Sequence, residues 1–474
     1  GNAVLAKPSE QTPLIATYAA ALLHEAGVPR SALQLLPGTG ATVGAALTSD
    51  PRVCGVCFTG STATAQTIRR TMAEHLSPGA PLIAETGGLN AMIVDSTALP
   101  EQAIRDIIAS AFQSAGQRCS ALRLLYLQED IAPGFTEMLF GAMEELTLGD
   151  PWHLATDIGP VIDAKAEASI RRHVEEARRD GRLLRQLSRP KDGHFIAPAV
   201  IKVKGIEDLQ REIFGPVLHL ATYRSEDLPK VIAAINATGY GLTFGLHTRI
   251  DNRVQEMCEA LKVGNIYVNR NQIGAVVGSQ PFGGEGLSGT GPKAGGPDYL
   301  LRFAANPPVR LPGEADGAAK ADAARIATAL QAEKAAEADQ GASFPTLDLP
   351  GPTGESNRLS HSPRDPLLCL GPGPKTARAQ AEAVRALGGR AVEVPDLLDP
   401  ASLATLQGFA GVLWWGGSDQ ARAYGLALAQ RPGPILPLIT GQPDRGHVLL
   451  ERHICIDTTA SGGNAALLAE AGNA

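Results

Sequence analysis

No long apolar run occurs in the chain. None approaches the roughly 18–20 residues that a membrane-spanning helix needs, so no such helix is expected. Positive charge is not in excess either. Lys and Arg number 42 against 49 Asp and Glu, a net charge of −7, which gives a nucleic-acid partner no footing. Six cysteines in 474 residues are too few and too dispersed for a disulfide framework, and a reducing cytoplasm fits them. The ten histidines show no ligand spacing, so no metal site is expected. There is no internal repeat. The opening G-N-A-V-L-A-K has neither Met nor a basic-then-apolar signal region. It reads as the edge of a strand already in progress, so the chain is expected to begin inside a domain.

What is present is alternation. Ala16–Ala26 reads as a helix closed by Gly27, and Leu33–Leu36 as a strand before the turn P-G-T-G. Val53–Phe58 reads as a strand leading through T-G-S-T into a helix that runs to His75. Pro81–Ala84, Ala91–Val94, Leu122–Leu127 and Asn265–Val268 read as strands, Glu101–Ala115 and Lys230–Asn236 as helices. Such alternation predicts an α/β fold with a largely parallel sheet. From about 306 to 362, Pro-rich ends enclose an Ala/Glu/Lys/Asp run that reads as a helix-prone connector. From 363, L-L-C-L, G-P-G-P-K, A-V-E-V and G-V-L-W-W resume the alternation as a smaller α/β unit without G-x-G-x-x-G.

Several stretches can do chemistry. G-Q-R-C-S at 116–120 follows an apolar helix and presents Cys119 beside Arg118. A neighbouring cation or a helix end lowers a thiol's pKa and makes a nucleophile. The local sequence fits a buried packing cysteine equally well. P-L-I-A-E-T-G-G-L-N at 81–90 puts Glu85 at a strand end, where parallel sheets bind ligands and burial suits a general base. A solvated turn glutamate is the plainer alternative. F-T-G-S-T at 58–62 suits a helix N-terminus approaching a pyrophosphate, or an ordinary capped helix. K-P-S-E at 7–10 offers Lys7 and Glu10 to ribose hydroxyls, or forms a surface turn. R-E-I-F-G-P-V at 211–217 sets an acid beside an aromatic before a Gly-Pro turn, which means little alone. C-G-V-C at 54–57 has redox or zinc spacing, but it lies in an apolar strand without a second pair, and core packing is expected.

These motifs and P-F-G-G-E-G-L-S-G-T-G at 281–291 occur in one order. Together they resemble the aldehyde dehydrogenase superfamily across roughly residues 1–305. Within it the chain is most similar to L-glutamate γ-semialdehyde (pyrroline-5-carboxylate) dehydrogenases, in the form found as the dehydrogenase half of the bacterial bifunctional proline utilization A flavoproteins. Three features carry this: Ser120 directly after the cysteine, the loop G-E-G-L-S-G-T-G-P-K-A-G-G-P, and L-E-R-H-I-C-I-D-T-T-A-S-G-G-N-A at 450–465.

The resemblance implies NAD-dependent oxidation of the semialdehyde to glutamate through a thiohemiacetal and a thioester on Cys119, with Glu85 as general base. It implies Lys7, Ser9 and Glu10 at the adenosine ribose, Gly60 and Ser61 at the pyrophosphate, and Glu212 with Phe214 beside the nicotinamide ribose. It places the substrate's α-carboxylate against Ser120, Ser288 and Gly289. The implied fold is a Rossmann-type NAD domain with an α/β catalytic domain, followed by a smaller α/β domain. By role, residues 1–86 would be the NAD-binding part with its start missing, and 87–280 the catalytic part. Residues 281–305 would form the substrate-anchoring loop, 306–362 a linker, and 363–474 a non-catalytic domain that caps the substrate tunnel and contributes to a dimer flap. A homo-oligomer is implied. FAD and membrane association would belong only to a proline dehydrogenase part that is not here.

The family's upstream asparagine, in a P-W-N-F-P-like motif, donates a second oxyanion hydrogen bond, and this chain starts after it. The chain alone is therefore expected to be impaired or inactive, since losing one such donor costs about 10²–10³ in rate. Another semialdehyde dehydrogenase of the superfamily stays open as an alternative. An acylating dehydrogenase would lack the base, so Glu85 argues against it. A catalytically dead scaffold is opposed by Cys119, Glu85 and Glu212, and is the preferred reading only for 363–474.

Overall fold

The computed structural model describes residues 1–304, 306–309, 319–335 and 345–459, and the end of the 450–465 motif lies outside them. The chain adopts the expected α/β class. Its contacts divide it into two compact units, each built from separated stretches. One comprises Gly1–Ala84, Asp298–Ala342 and Pro363–Leu449; the other comprises Glu85–Pro297, Ser343–Ser362 and Leu450–Ala474.

The second unit is built on a ten-stranded sheet. Its strands follow the order Leu347–Leu349, Glu355–Pro363, Leu449–Asp457, Asn265–Val268, Thr243–His247, Ala91–Val94, Leu124–Gln128, Val217–Tyr223, Ala199–Lys202, Leu183–Gln186. From Leu449–Asp457 to Ala199–Lys202 every neighbouring pair is parallel, and antiparallel pairs close both edges. Parallel strands covered on both faces read as continuous apolar runs, and the central ones here are buried at every position. Alternate residues feed opposite cores. Met92, Val94, Leu125 and Leu127 pack against Ile104, Ile107 and Phe112 of helix Pro100–Phe112. Ala91, Ile93, Leu124 and Tyr126 join Val231, Ile235 and Val254, from the helices on the other side.

The first unit holds a four-stranded parallel sheet in the order Ala391–Glu393, Leu367–Cys369, Gly411–Leu413, Leu438–Ile439. Trp414, Tyr424 and Leu428 fill its core. The unit also holds strand Val4–Ala6, parallel to Leu33–Leu35, and helix Thr62–His75 packed on Leu82 and Ala84. Arg422 caps that helix by donating to the carbonyls of Ala73, Glu74 and Leu76, groups that a helix end leaves unpaired. Among the described residues no helix is long and apolar enough to cross a membrane.

Three expectations change. The helix expected to reach Ala115 ends at Phe112, because Ser114, Ala115 and Gly116 all take positive φ and reverse the chain. The connector carries strands Leu347–Leu349 and Glu355–Pro363, which pair antiparallel with each other, the second also lying beside the distant Leu449–Asp457 in the ten-stranded sheet. Cys54 and Cys57 are exposed rather than packed in the core. In strand Val56–Thr59 the alternation turns Val56 and Phe58 inward and Cys57 outward, with its Sγ 3.6 Å from Tyr299 Oη.

Candidate active site

Cys119 lies on the loop between helix Pro100–Phe112 and strand Leu124–Gln128. The left-handed Ser114, Ala115 and Gly116 turn the chain sharply just before it. Non-glycine residues in this region cost about 1–3 kcal/mol each and persist only when their surroundings hold them. Here the surroundings do. Leu122 N–H donates to Ser110 O at 2.9 Å, and Asn90 Nδ2 donates to Cys119 O at 2.7 Å and Ala121 O at 2.9 Å. Ser120 is buried, and its carbonyl accepts from Thr243 Oγ1 and Gln272 Nε2, each at 3.2 Å.

Beneath the loop sits Arg123, a wholly buried guanidinium. It donates to Gly116 O at 2.7 Å, to Arg118 O at 2.9 Å and to Glu212 Oε1 at 2.9 Å. Its Cζ lies over the Phe214 ring, 5.1 Å from the ring centre. One cation thus fastens the nucleophile's loop to the E-I-F-G-P-V segment. Its own carbonyl receives the Nδ1–H of buried His219 at 2.9 Å, which fixes that tautomer, and burial holds the imidazole neutral with its pKa lowered to about 4.

The thiol's environment differs from the expectation. Burial, then the negative charge of Glu212, then that of Glu85 raise the Cys119 pKa, while the N–H groups of Ser120 and Cys119 itself oppose the rise. The Arg118 guanidinium does not offset this rise. Its Nε donates to Ser114 Oγ at 3.2 Å on the exposed side of the loop. The nucleophile therefore needs a base.

Glu85 ends strand Leu82–Glu85 with its carboxyl buried. Oε2 accepts the Gly284 N–H at 3.2 Å, and Oε1 has no hydrogen-bond partner among the described residues. Burial pushes its pKa well above the ordinary carboxylate range, against the pull of the Lys293 ammonium and the Gly284 N–H. Gly289 pairs with Glu85 along the backbone, and Thr86 N–H donates to Ser288 O at 3.0 Å. Ser288 is fully buried, with its Oγ accepting the Gly241 N–H at 3.0 Å. Both loop residues thus hold the backbone around Glu85.

Within the second unit the structure brings together Cys119, Ser120, Glu85, Glu212, Phe214, Ser288 and Gly289. The other five candidates lie in the first unit. Lys7 Nζ donates to Pro8 O and to Gly38 O at 3.2 Å, Glu10 Oε2 accepts the Gly40 N–H at 3.2 Å, and Ser9 Oγ bonds Gln11 Oε1 at 3.0 Å. The pairing of Val4–Ala6 with Leu33–Leu35 thus sets K-P-S-E beside P-G-T-G. Gly60 and Ser61 stand exposed at the start of helix Thr62–His75, with Ser61 Oγ accepting the Thr64 N–H. Sequence reasoning missed Asn90, Arg123 and Lys293. A charged residue heading a wholly apolar strand was the signal for Arg123.

Taken separately, the first unit offers a helix start with small exposed residues, which suits phosphates, and the second offers the Glu212 carboxylate and the exposed Phe214 ring, which suit a diol and a flat heterocycle.

Comparison with known proteins agrees. The model of the aldehyde dehydrogenase family matches residues 1–306. The bifunctional protein PutA of Escherichia coli is 46% identical over 99% of this chain, and the match takes in 40% of that protein. The chain thus spans about two fifths of the length of the PutA relatives it matches. The 1-pyrroline-5-carboxylate dehydrogenase of Geobacillus thermodenitrificans is 39% identical over 64% of this chain and 59% of its own length. A crystal structure of Bradyrhizobium japonicum Proline Utilization A (PutA) superposes with TM-score 0.62 at 56% identity, covering 64% of this chain and 31% of that one. A 1-pyrroline-5-carboxylate dehydrogenase from Thermus with bound NAD gives TM-score 0.60 at 37% identity, covering 64% and 59%.

Proposed function

The chain belongs to the aldehyde dehydrogenase family, and on that premise we propose that it oxidises L-glutamate γ-semialdehyde to L-glutamate with NAD. The observation that carries this is that one compact unit holds Cys119 on a loop fastened by Asn90 and Arg123, with Arg123 paired to Glu212 and with Glu85 paired along the backbone to Gly289 of the glycine-rich loop. The likeness to 1-pyrroline-5-carboxylate dehydrogenases supports the choice of substrate.

In this reading the Cys119 thiol passes its proton to a carboxylate and its sulfur adds to the aldehyde carbon. The N–H groups of Cys119 and Ser120 stabilise the oxyanion so formed. NAD, when bound, supplies the acceptor for the hydride whose loss leaves a thioester. Glu85 then takes a proton from the water that attacks this thioester. The C–S bond breaks, glutamate leaves, and the thiol is restored. Lys7, Ser9, Glu10, Gly60 and Ser61 hold the adenosine and pyrophosphate side, Glu212 and Phe214 the nicotinamide side. Ser120 contacts the substrate's α-carboxylate. Ser288 and Gly289 shape the anchoring loop, because the Ser288 hydroxyl is enclosed within it. Residues 1–86 would serve as the dinucleotide part, 87–280 as the catalytic part and 363–474 as a cap without catalytic groups. A cytoplasmic location and assembly of several copies belong to the same proposal.

The test is NADH formation by the purified gene product carrying this sequence, with L-glutamate γ-semialdehyde, succinate semialdehyde and propanal compared side by side. Strong preference for the first is expected. Equal use of all three would leave aldehyde oxidation standing and remove the substrate assignment.

A further inference from the structure

Lys293 is a buried cation in the glycine loop that the mechanism above does not use. Its ammonium is placed with some economy. Nζ donates to the carbonyl of Gly283 and to Asn265 Oδ1 at 3.0 Å. The Gly283 carbonyl also accepts Asn265 Nδ2 at 2.9 Å. The other side of that same peptide group is the Gly284 N–H, which donates to Glu85 Oε2 at 3.2 Å. One peptide plane thus stands between a cation and the candidate base. An ammonium on a carbonyl oxygen draws electron density toward that oxygen and makes the N–H across the plane a stronger donor.

The geometry leaves the plane little freedom. A Cβ on Gly283 would lie 3.2 Å from both Glu85 Oε1 and the Lys293 Cα, and one on Gly284 would lie 2.6 Å from the Ser288 Cβ. Lys293 is held from behind as well, since its own N–H donates to Glu451 Oε2 at 2.6 Å.

Resting on the reading of Glu85 as the base, we propose that Lys293 is a positioning residue. It holds the Glu85 carboxylate in place and in its charged form through the Gly283–Gly284 peptide. The charged groups facing this pair are few. Lys293 favours the charged carboxylate and Glu451 opposes it. Glu285 and Arg452 bear on Lys293, and the Cys119 thiol responds to Glu85. Removing the ammonium leaves the opposing field of Glu451 and weakens the hydrogen bond that the Glu85 carboxylate accepts from the Gly284 N–H. The base then stays protonated to higher pH, and thioester hydrolysis slows while acylation of Cys119 does not.

The experiment compares wild type with Lys293→Gln, which keeps a donor near the Gly283 carbonyl and loses the charge. Rapid-mixing and steady-state NADH formation are followed across pH. Wild-type turnover tests the underlying reading, and the difference between the two proteins tests Lys293. The initial burst is expected to survive, steady turnover near neutrality to fall about tenfold, and the acid limb to move up by about one pH unit. Turnover and acid limb both unchanged in a folded Lys293→Gln protein would overturn the proposal. Should that variant fail to fold, Glu451→Gln reads the same field with opposite sign. The limb is then expected to move to lower pH, and a limb that stays in place would overturn the proposal.

Discussion

Arg123 and Glu212 form a buried ion pair, Nη2 to Oε1 at 2.9 Å, that joins two segments 89 residues apart in sequence. Among the described residues the arginine has no other ion-pair partner, and its remaining donors go to backbone carbonyls, two of them on the nucleophile's loop. Its cost in desolvation is repaid in geometry: it fixes where Cys119 sits relative to Phe214.

Arg123→Met should therefore be strongly destabilising. Breaking a buried pair by removing one partner costs about 3–5 kcal/mol, because the other charge is stranded. Adding Glu212→Gln should return part of that loss, since no unpaired charge remains. Denaturant unfolding of the wild type, both single variants and the double variant measures the coupling, and strictly additive losses would contradict this account.

Gly116→Ala tests the turn that presents the cysteine. A Cβ there would lie 2.2 Å from the Gly215 carbonyl oxygen, at φ +66°. The loop must shift or the fold must loosen, and a loss of at least about 1–3 kcal/mol in stability is expected. Activity should fall further than stability alone explains, because a shift here displaces the nucleophile. Wild-type melting and turnover would show that the turn is not under this constraint.

Much of this site was legible in the sequence, and the limits have physical causes. Strands Ala91–Val94 and Asn265–Val268 were read to the residue, because a strand buried on both faces writes itself as an uninterrupted apolar run. Glu85, Cys119 and Glu212 were found through motifs that keep their order. Asn90 and Lys293 were not, because their work is to hold backbone carbonyls, and nothing local marks a carbonyl in need of a donor; for Arg123 the only local mark is a charge heading an apolar strand. Strand Leu449–Asp457 pairs with Asn265–Val268 across a separation of about 190 residues, which no periodicity reveals. The influence of Arg118 was misjudged because adjacency in sequence was taken for adjacency of charge.

The raised Cys119 pKa gives a pH prediction with a definite sign. Burial, Glu212 and Glu85 all disfavour the thiolate, so the thiol is held above the ordinary cysteine range. Alkylation of Cys119 by iodoacetamide should rise with pH well past neutrality in the protein without NAD, later than for an exposed thiol. Glu212→Gln removes one opposing charge and should move that rise to lower pH. A wild-type rate that has levelled off by neutral pH would contradict the environment described here.

The account stands or falls with Cys119 as the nucleophile. The direct measurement is NADH formation from L-glutamate γ-semialdehyde by the wild-type gene product and by Cys119→Ala, both shown to be folded by thermal melting. Wild-type turnover, with loss to background in Cys119→Ala, is the predicted result. Comparable NADH formation by the two proteins would mean that the oxidation runs without a thiol at this position, and would contradict the account.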